Sequence, residues 1–242
     1  MNEARPCVLL ADDEPDLLDL LRRALAGENY NVLVACTGEE ALALAQKHRP
    51  DVIVLDIVMP GLDGLEVCRR LRGDPLLAQV PVLFLTVRSR LEERLEGWEQ
   101  GCDDYLSKPF DLRELKAHLR ALLRRGRTAA GADAGSGVES HVIRVGSLAL
   151  DLHTRRVTTA HRTAQLTPIE FSLFHHLMEH PGELFPSRQL LREVWGYAPD
   201  AASPGLVRWH IKNLREKIEP DPAHPIYIRT VPRCGYMLMA DV

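Results

Sequence analysis

The sequence predicts an α/β fold of two consecutive domains: a doubly wound, five-stranded parallel sheet, and then a smaller α+β domain. Three observations lead to this prediction. Short apolar segments alternate with amphipathic helical segments through the first half of the chain. A stretch almost free of large apolar side chains follows at residues 126–140. Beyond it, three helical patterns lie between short segments of β-type residues.

Composition is that of a globular protein rather than a membrane or disulfide-rich one. The 242 residues are 45% hydrophobic and 26% charged, which suits two ordinary domains with buried cores. No apolar run approaches the roughly 20 residues that span a bilayer, and the first residues do not resemble a signal peptide. The five cysteines form no CxxC pair, which indicates reduced thiols. We therefore expect a cytoplasmic protein.

The first half divides into five strand–helix units. Strands are predicted at residues 7–11, 31–35, 51–55, 81–85 and 103–107. Helical segments are predicted to open near Glu14, Gly38, Asp63 and Ser89, and a last one runs from Asp111 to Arg125. Short apolar strands that alternate with helices form right-handed βαβ units, so the strands should be parallel. This is a flavodoxin-like arrangement, whose functional site lies beyond the carboxyl ends of the strands.

Side chains with complementary chemistry follow four of these strands. They are Asp12, Asp13 and Glu14 after the first, Asp56 after the third, Thr86 after the fourth and Lys108 after the fifth. Carboxylates that converge need a cation, and oxygen ligands suit Mg²⁺. In such a crevice Asp56 can attack phosphorus while Lys108 neutralises the phosphoryl group and Thr86 donates a hydrogen bond to it. Singly, each residue also suits an ordinary role as a helix cap, a loop acid or a surface lysine.

These stretches together resemble the receiver domain of bacterial response regulators. The resemblance covers residues 5–125 and rests on DD after the first strand, DIVMPGLDG after the third, Thr after the fourth and YLSKPF after the fifth. It implies a phospho-acceptor at Asp56, Mg²⁺ ligands at Asp12, Asp13, Asp56 and the backbone carbonyl of Val58, and phosphoryl-contact and switch residues at Thr86, Tyr105 and Lys108. It also implies a cis bond before Pro109. Val87 departs from the Ala or Gly that is usual after the switch Thr.

The resemblance further implies a homodimer formed by the fourth helical segment, the fifth strand and the fifth helical segment. Charged side chains stand where this family forms intersubunit ion pairs, namely Arg94, Glu99, Asp104, Glu114, His118 and Arg120. We expect Arg94 to meet Glu114 and Glu99 to meet Arg120 across the dimer. His118 replaces the arginine expected opposite Asp104, so that intersubunit pair should weaken as pH rises through neutrality.

Residues 126–140 cannot bury enough surface to order themselves, so they predict a flexible linker between domains at 1–125 and 141–242. A small antiparallel sheet is predicted over residues 141–160. Helices are predicted from Thr167 to Pro181, from Ser187 to Gly196 and from Leu206 to Glu219, and a hairpin closes the chain. Three helices between a sheet and a hairpin indicate a winged helix-turn-helix.

The third helix has a face suited to DNA. At about 100° per residue its core stripe contains Val207, Ile211, Leu214 and Ile218. The opposite pole holds Gly205, Trp209, Asn213 and Glu216, with Arg208, Lys212 and Arg215 on one flank and His210 and Lys217 on the other. Such a face would meet phosphates at its sides and base edges at its centre. The alternatives are a solvated charged face or a tryptophan that packs on a partner, and this helix alone does not decide between them.

The second half resembles the effector domain of OmpR/PhoB-like regulators. LTPIEF, SRQLL, VWGY, HIKNLREKIE and a final IRTV and CGY occur in that order over residues 143–239. The implied DNA-binding residues are Arg208, Trp209, His210, Lys212, Asn213, Arg215, Thr230 and Arg233. The wing departs from the family pattern because Pro232 stands where the basic residue is usual.

Both resemblances together imply a phosphorylation-dependent transcriptional regulator of a bacterial two-component system. Its partners would be a sensor histidine kinase, a second copy of the chain, paired half-sites in promoter DNA, and RNA polymerase. Two other classes stay open at this level. One is an atypical regulator controlled by partners rather than phosphate, which the complete acidic site disfavours. The other is a phosphohydrolase, which would need a second catalytic base, so we expect no enzyme.

Overall fold

The computed structural model describes residues 5–87, 102–130, 141–197 and 204–240, with the backbone alone at Val87 and at 125–130. The chain divides into two compact units, with the division between Gly126 and Arg127. The predicted helical segment that opens near Ser89 lies outside the described residues. Within the described ranges, no helix combines the length and the apolarity that crossing a bilayer requires.

The first unit is built on a parallel sheet. Its strands are β1 (Cys7–Ala11), β2 (Asn31–Ala35), β3 (Val52–Asp56), β4 (Val82–Val87) and β5 (Asp104–Lys108). All neighbouring strands run parallel in the order β2-β1-β3-β4-β5. The helices described in this unit are α1 (Pro15–Ala26), α2 (Gly38–His48), α3 (Gly64–Gly73) and α4 (Leu112–Ala130). The predicted doubly wound parallel fold is confirmed. Its strand order reverses between β1 and β3, where such sheets bind ligands.

Continuous apolar strands explain why this sheet occupies the core. Every residue of β3 is buried, as expected for a parallel strand covered on both faces. In α1, Leu18, Leu21 and Leu25 recur every three or four residues and pack into the same buried cluster as Val8 and Leu10 of β1. Each fully buried leucine contributes roughly 1.5–3 kcal/mol. Continuous apolar runs therefore form the strands, which are buried on both faces. Apolar residues spaced three or four apart form the helices, which bury one face.

Short polar side chains set where the helices begin. Oγ1 of Thr37 accepts a hydrogen bond from the backbone N–H of Glu40, and Oδ1 of Asp63 accepts one from Glu66. Such caps stabilise a helix by about 1 kcal/mol each. The helix α4 runs to Ala130, five residues into the segment predicted as a linker, and residues 131–140 lie outside the described part of the chain.

The second unit contains an antiparallel sheet, three described helices and a hairpin. The sheet has the order β6 (Val142–Val145), β7 (Leu148–Asp151), β8 (Arg156–Thr158), β9 (Thr163–Gln165). The helices are α5 (Pro168–Glu179), α6 (Ser187–Glu193) and α7 (Pro204–Ile218), and the hairpin pairs β10 (Ile228–Val231) with β11 (Gly235–Leu238). This is the predicted winged-helix arrangement.

Buried carboxylates fix the ends of these elements. Glu219 is wholly buried and accepts hydrogen bonds from the backbone N–H groups of Ile226, Tyr227 and Ile228 at 2.8–3.1 Å. The chain that leaves α7 is thereby held against the start of β10. At the start of α5, Thr167 and Glu170 form a capping box, as the sequence pattern indicates.

Candidate functional site

Three carboxylates meet at the carboxyl edge of the parallel sheet. Asp12 follows β1, Asp56 is the last residue of β3, and Asp13 lies next to Asp12. One oxygen from each of the three lies within 4.8 Å of the others. Asp12 and Asp56 are 1% and 7% exposed, whereas Asp13 faces solvent. The parallel register brings these strand ends together, which is why residues far apart in the sequence share one site, called the acid pocket below.

Lys108, at the end of β5, reaches into the acid pocket. Its Nζ lies 2.8 Å from Oδ2 of Asp12 and 2.8 Å from Oδ2 of Asp56, and 3.3 Å from Oε1 of Glu14. The bond between Lys108 and Pro109 is cis, as predicted. Burial alone would lower the pKa of Lys108, but the hydrogen bonds to Asp12 and Asp56 outweigh it and raise that pKa above its usual range. Lys108 is therefore a cation held between two carboxylates.

The pKa of Asp56 is set by opposing effects. Burial raises the pKa of this carboxyl above its ordinary value, and the hydrogen bond and charge of Lys108 lower it in part. The negative charge of Asp12 adds to the rise. Asp56 is thus less acidic than a surface aspartate. The cation of Lys108 beside it favours the ionised form of this carboxyl.

The loop after β3 folds back over Asp56. The backbone N–H of Val58 lies 3.4 Å from Oδ1 of Asp56, and the Val58 side chain is half exposed. At the start of α3, a Cβ on Gly64 would lie 2.0 Å from the backbone carbonyl oxygen of Asp56. Only glycine permits this approach, so Gly64 positions the acceptor loop, a role that the sequence analysis did not assign to it.

The two predicted switch residues lie on neighbouring strands. Thr86 is 2% exposed near the end of β4, and Tyr105 is half-buried on β5. The parallel register pairs Thr86 with Ser107, one residue before Lys108. Thr86 and Lys108 therefore lie at the same edge of the sheet as the acid pocket, whereas Tyr105 lies further from that edge.

The donor set of the acid pocket fits Mg²⁺. Its three clustered carboxylates offer hard oxygen donors, and no imidazole or thiol belongs to the cluster. Their mutual repulsion is only partly offset by Lys108, so a divalent cation would be stabilising here.

The dimer prediction requires a correction at Asp104 and His118. Nδ1 of His118 lies 2.7 Å from Oδ2 of Asp104 within the same chain, and the side chains are 5% and 1% exposed. The structure thus pairs the two groups within one chain rather than across a dimer. Glu114 and Arg120 are exposed on α4, while Arg94 and Glu99 lie outside the described residues.

A buried ion pair, missed by sequence reasoning, is formed by the neighbouring residue Asp103. Nη2 of Arg72 lies 2.8 Å from Oδ2 of Asp103, which also accepts the backbone N–H of Val82. Nη1 of Arg72 donates to the carbonyls of Ala78 and Val80. The guanidinium thus joins α3 to the starts of β4 and β5. An arginine near the end of an amphipathic helix carries no sequence signal for such a role.

The helix α7 is rotated from its predicted orientation. Trp209 and His210 are 6% and 1% exposed, so their predicted exposure to DNA is wrong. The His210 ring lies 4.5 Å from the ring of Trp209 and 5.4 Å from that of Trp195, which is wholly buried. The core of this helix is wider than its aliphatic stripe, because large aromatic side chains also pack inward.

The exposed face of α7 is basic. Arg208, Lys212 and Glu216 are exposed, and Asn213 is half-buried. Lys212 lies 3.7 Å from Glu216, a weak pair between exposed groups. Lys212, predicted as a flanking residue, therefore stands at the centre of the solvent face between Arg208 and Glu216, about 55° from the predicted pole at about 100° per residue.

Arg215 links this helix to the hairpin. Its Nε and Nη2 donate to the carbonyl oxygen of Ile228, and Nη2 also donates to Oγ1 of Thr230 at 2.8 Å. Burial lowers the pKa of Arg215 below its ordinary value. Arg215 and Thr230 were both predicted to contact DNA, but their side chains bond to one another.

Two other basic side chains of the hairpin face solvent. Arg233 is exposed in the turn, with a left-handed φ of 65°. Arg229 is exposed on β10, where it alternates with the buried Ile228. Sequence reasoning passed over Arg229, although strand alternation beside a buried isoleucine would have identified its outward position.

Comparison with known proteins identifies both halves of the chain. Residues 8–120 match the family model described as response regulator receiver domain, and residues 161–238 match transcriptional regulatory protein, C terminal. The DNA-binding dual master transcriptional regulator RpaA of Synechocystis is 39% identical over 96% of this chain and 95% of its own. Response regulator MprA of Mycolicibacterium vanbaalenii is 43% identical over 96% of each chain. A solved structure of a RitR mutant is 25% identical with a TM-score of 0.73, covering 97% of this chain and 99% of that one.

Proposed function

This chain belongs to the OmpR/PhoB family of two-component response regulators, and from that premise we propose that Asp56 is its phospho-acceptor. The family is one of DNA-binding transcriptional regulators rather than enzymes, and nothing favours the atypical or hydrolase alternatives. The single observation that carries the assignment is the position of Lys108 Nζ, 2.8 Å from both Asp12 and Asp56. A cation fixed beside one ionised nucleophile prepares the pocket for an anionic phosphoryl group.

The proposed reaction is a phosphoryl transfer from a histidine of a sensor kinase. An ionised oxygen of Asp56 attacks phosphorus, a P–O bond forms, and the P–N bond of the donor breaks with its electron pair leaving on the imidazole. Lys108 is placed to neutralise the charge of the transferred group. Asp12, Asp13, Asp56 and the carbonyl of Val58 would hold Mg²⁺, which supplies further charge neutralisation when bound.

The phosphoryl signal would be read by Thr86 and Tyr105. A new phosphoryl oxygen above Asp56 offers an acceptor to the Thr86 hydroxyl at the same sheet edge. A shift of Thr86 on β4 would change the position of Tyr105, which lies on the adjacent strand β5. We infer that this change favours a homodimer through α4 and β5, with exposed Glu114 and Arg120 among its contacts. Asp104 and His118 would support that face through their contact with each other beneath its surface.

The second unit would bind promoter DNA through the exposed face of α7. Arg208 and Lys212 would reach the major groove, with Asn213 at its margin, while Arg229 and Arg233 of the hairpin approach the backbone or the minor groove. Two such units in a phosphorylated dimer would occupy paired half-sites. A kinase and a promoter as partners would require a cytoplasmic location, and RNA polymerase is a candidate partner of the bound dimer.

Phosphorylation and DNA binding should be linked. DNA affinity is measured by fluorescence anisotropy on a promoter fragment, with and without a small phosphodonor and Mg²⁺. The donor should tighten binding by the wild type and leave Asp56→Asn unchanged. An equal gain in both proteins would refute the linkage, because the gain would then not pass through Asp56.

A further inference from the structure

We propose that His176, Glu179 and His180, at the carboxyl end of α5, form a binding site for a divalent transition-metal ion of the zinc class. His176 and Glu179 lie three residues apart in the last turn of α5 and so on one face of the helix, and His180 is the C-cap residue that follows. Two imidazoles and a carboxylate are ligands that Zn²⁺ takes. The site lies in the second unit, and its mixed nitrogen and oxygen donors differ from the all-oxygen acid pocket of the first.

The distances between the side chains suit a shared ion. One ligand atom from each of the three residues lies within 4.8 Å of the other two. In a tetrahedral zinc site with bonds of about 2.0–2.2 Å, neighbouring ligand atoms are about 3.3–3.6 Å apart. Rotation of the exposed Glu179 side chain would bring its carboxylate closer to the two imidazoles. His176 is half-buried, so its side chain is the most restricted of the three ligands.

A hydrogen bond prepares His180 as a ligand. Its Nδ1 lies 3.0 Å from the backbone carbonyl oxygen of His176. A carbonyl oxygen only accepts, so Nδ1 carries the proton and the lone pair of Nε2 is left for a metal. Histidines that bind metals are commonly held in this way, with the second ring nitrogen donating to a carbonyl or a carboxylate.

The surroundings add a further carboxylate and an aromatic wall. Oε2 of Glu193, on α6, lies 3.3 Å from Nε2 of His176. The ring of Phe185 lies 4.8 Å from the His176 ring and 5.7 Å from the His180 ring, measured between centroids. Glu193 brings negative charge next to the ligand group, and Phe185 covers one side of it. An ion bound to His176 would therefore lie where α5 meets α6, the first two of the three helices described in the second unit.

Zinc binding is tested by calorimetry on the untagged full-length protein. Zn²⁺ is titrated in the presence of excess Mg²⁺, which occupies the acid pocket. We expect one Zn²⁺ per chain in the second unit. His180→Ala should weaken binding by at least about tenfold, since loss of even an outer partner of a metal ligand costs about 10–100-fold. A Co²⁺ absorption spectrum should show the same dependence on His180.

His175→Ala is the matched control. His175 lies next to His176 on the same helix, stacks on Phe171 with centroids 5.6 Å apart, and does not belong to the ligand group. Its Nδ1 lies 3.5 Å from Glu179, so its removal frees that carboxylate and should not weaken zinc binding. Circular dichroism checks that both variants are folded.

The outcomes separate a metal site from an aromatic cluster that only supports the fold. Zinc affinity lost in His180→Ala and kept in His175→Ala supports the proposal. No zinc binding by the wild type, or equal affinity in wild type and His180→Ala, overturns it. Asp56→Asn should bind zinc like the wild type, so the result is independent of phosphorylation.

Discussion

Nδ1 of His118 and Oδ2 of Asp104 lie 2.7 Å apart inside a single chain, and both side chains are almost wholly buried. The bond joins α4 to β5, the two described elements of the proposed dimer face. It therefore contributes to the packing of the first unit.

Removing the imidazole should destabilise the monomer. In His118→Ala the Asp104 carboxylate stays buried but loses this hydrogen bond, which should cost about 1–3 kcal/mol of unfolding free energy. Urea denaturation of the two proteins measures the difference. Glu114→Ala, an exposed change on the same helix, should stay within about 0.5 kcal/mol of wild type. Equal stability of His118→Ala and wild type would contradict the assignment.

The Arg72–Asp103 pair should contribute more to the free energy of unfolding than the bond between His118 and Asp104. Arg72→Met leaves Asp103 buried without its guanidinium, and breaking a buried pair in this way costs roughly 3–5 kcal/mol. Arg70→Met is the matched control, because Arg70 lies on the same helix but pairs with Glu66 in solvent. That exposed pair should contribute at most about 1 kcal/mol. A loss of stability in Arg72→Met no larger than in Arg70→Met would show that the buried pair is weak.

Asp56 should titrate at a higher pH than an ordinary aspartate in the metal-free protein. Burial raises the pKa of Asp56 and Lys108 lowers it in part. Lys108→Met removes the lowering effect, so the pKa should rise further in that variant. The sign for stability follows: a carboxyl whose pKa is higher when folded favours the folded state at low pH, and this contribution is lost as pH rises through the folded pKa. Carbon NMR of the carboxyl group in the presence of a chelator measures both shifts, and a fall in Lys108→Met would contradict the account.

The orientation of α7 predicts different effects for two substitutions, because Trp209 is buried and Arg208 is exposed. Trp209→Ala empties a buried site and should cost roughly 3–5 kcal/mol of unfolding free energy. Arg208→Ala should leave stability within about 0.5 kcal/mol but flatten base preference, since a bidentate contact to guanine is worth about 1–3 kcal/mol. Denaturation and binding selection on both variants decide the matter. A stable Trp209→Ala with altered base preference would restore the orientation predicted from the sequence.

The parallel sheet and the acid pocket were predictable because the relevant signals are local. Each strand is a short apolar run, and the chemistry at its end, such as Asp56 or Lys108, follows directly in the sequence. Parallel register then brings those ends together without further information. The helix starts near Gly38 and Asp63 were predictable for the same reason, since the signals for a helix start lie within a few residues of it.

The wrong predictions concern how deeply a side chain is buried and which group it contacts. The helical angles of the aliphatic residues placed Trp209 opposite the core, but Trp209 and His210 pack with Trp195, which follows α6, and widen the buried sector. Alignment of His118 with a family position gave its place along the helix but not its depth. Arg215 and Thr230 were expected to meet DNA, yet each found a partner 15 positions away in the chain. Such contacts depend on tertiary packing, which local patterns do not encode.

The central claim is that Asp56 receives the phosphoryl group, and mass spectrometry after incubation with a small phosphodonor and Mg²⁺ tests it most directly. The wild type should gain one phosphoryl group, localised to Asp56 after reductive trapping, and chelation of Mg²⁺ should abolish the gain. Asp63→Asn, an exposed acid in the same loop that caps α3, should be labelled like the wild type. Asp56→Asn should remain unlabelled. Undiminished labelling of Asp56→Asn would contradict the account.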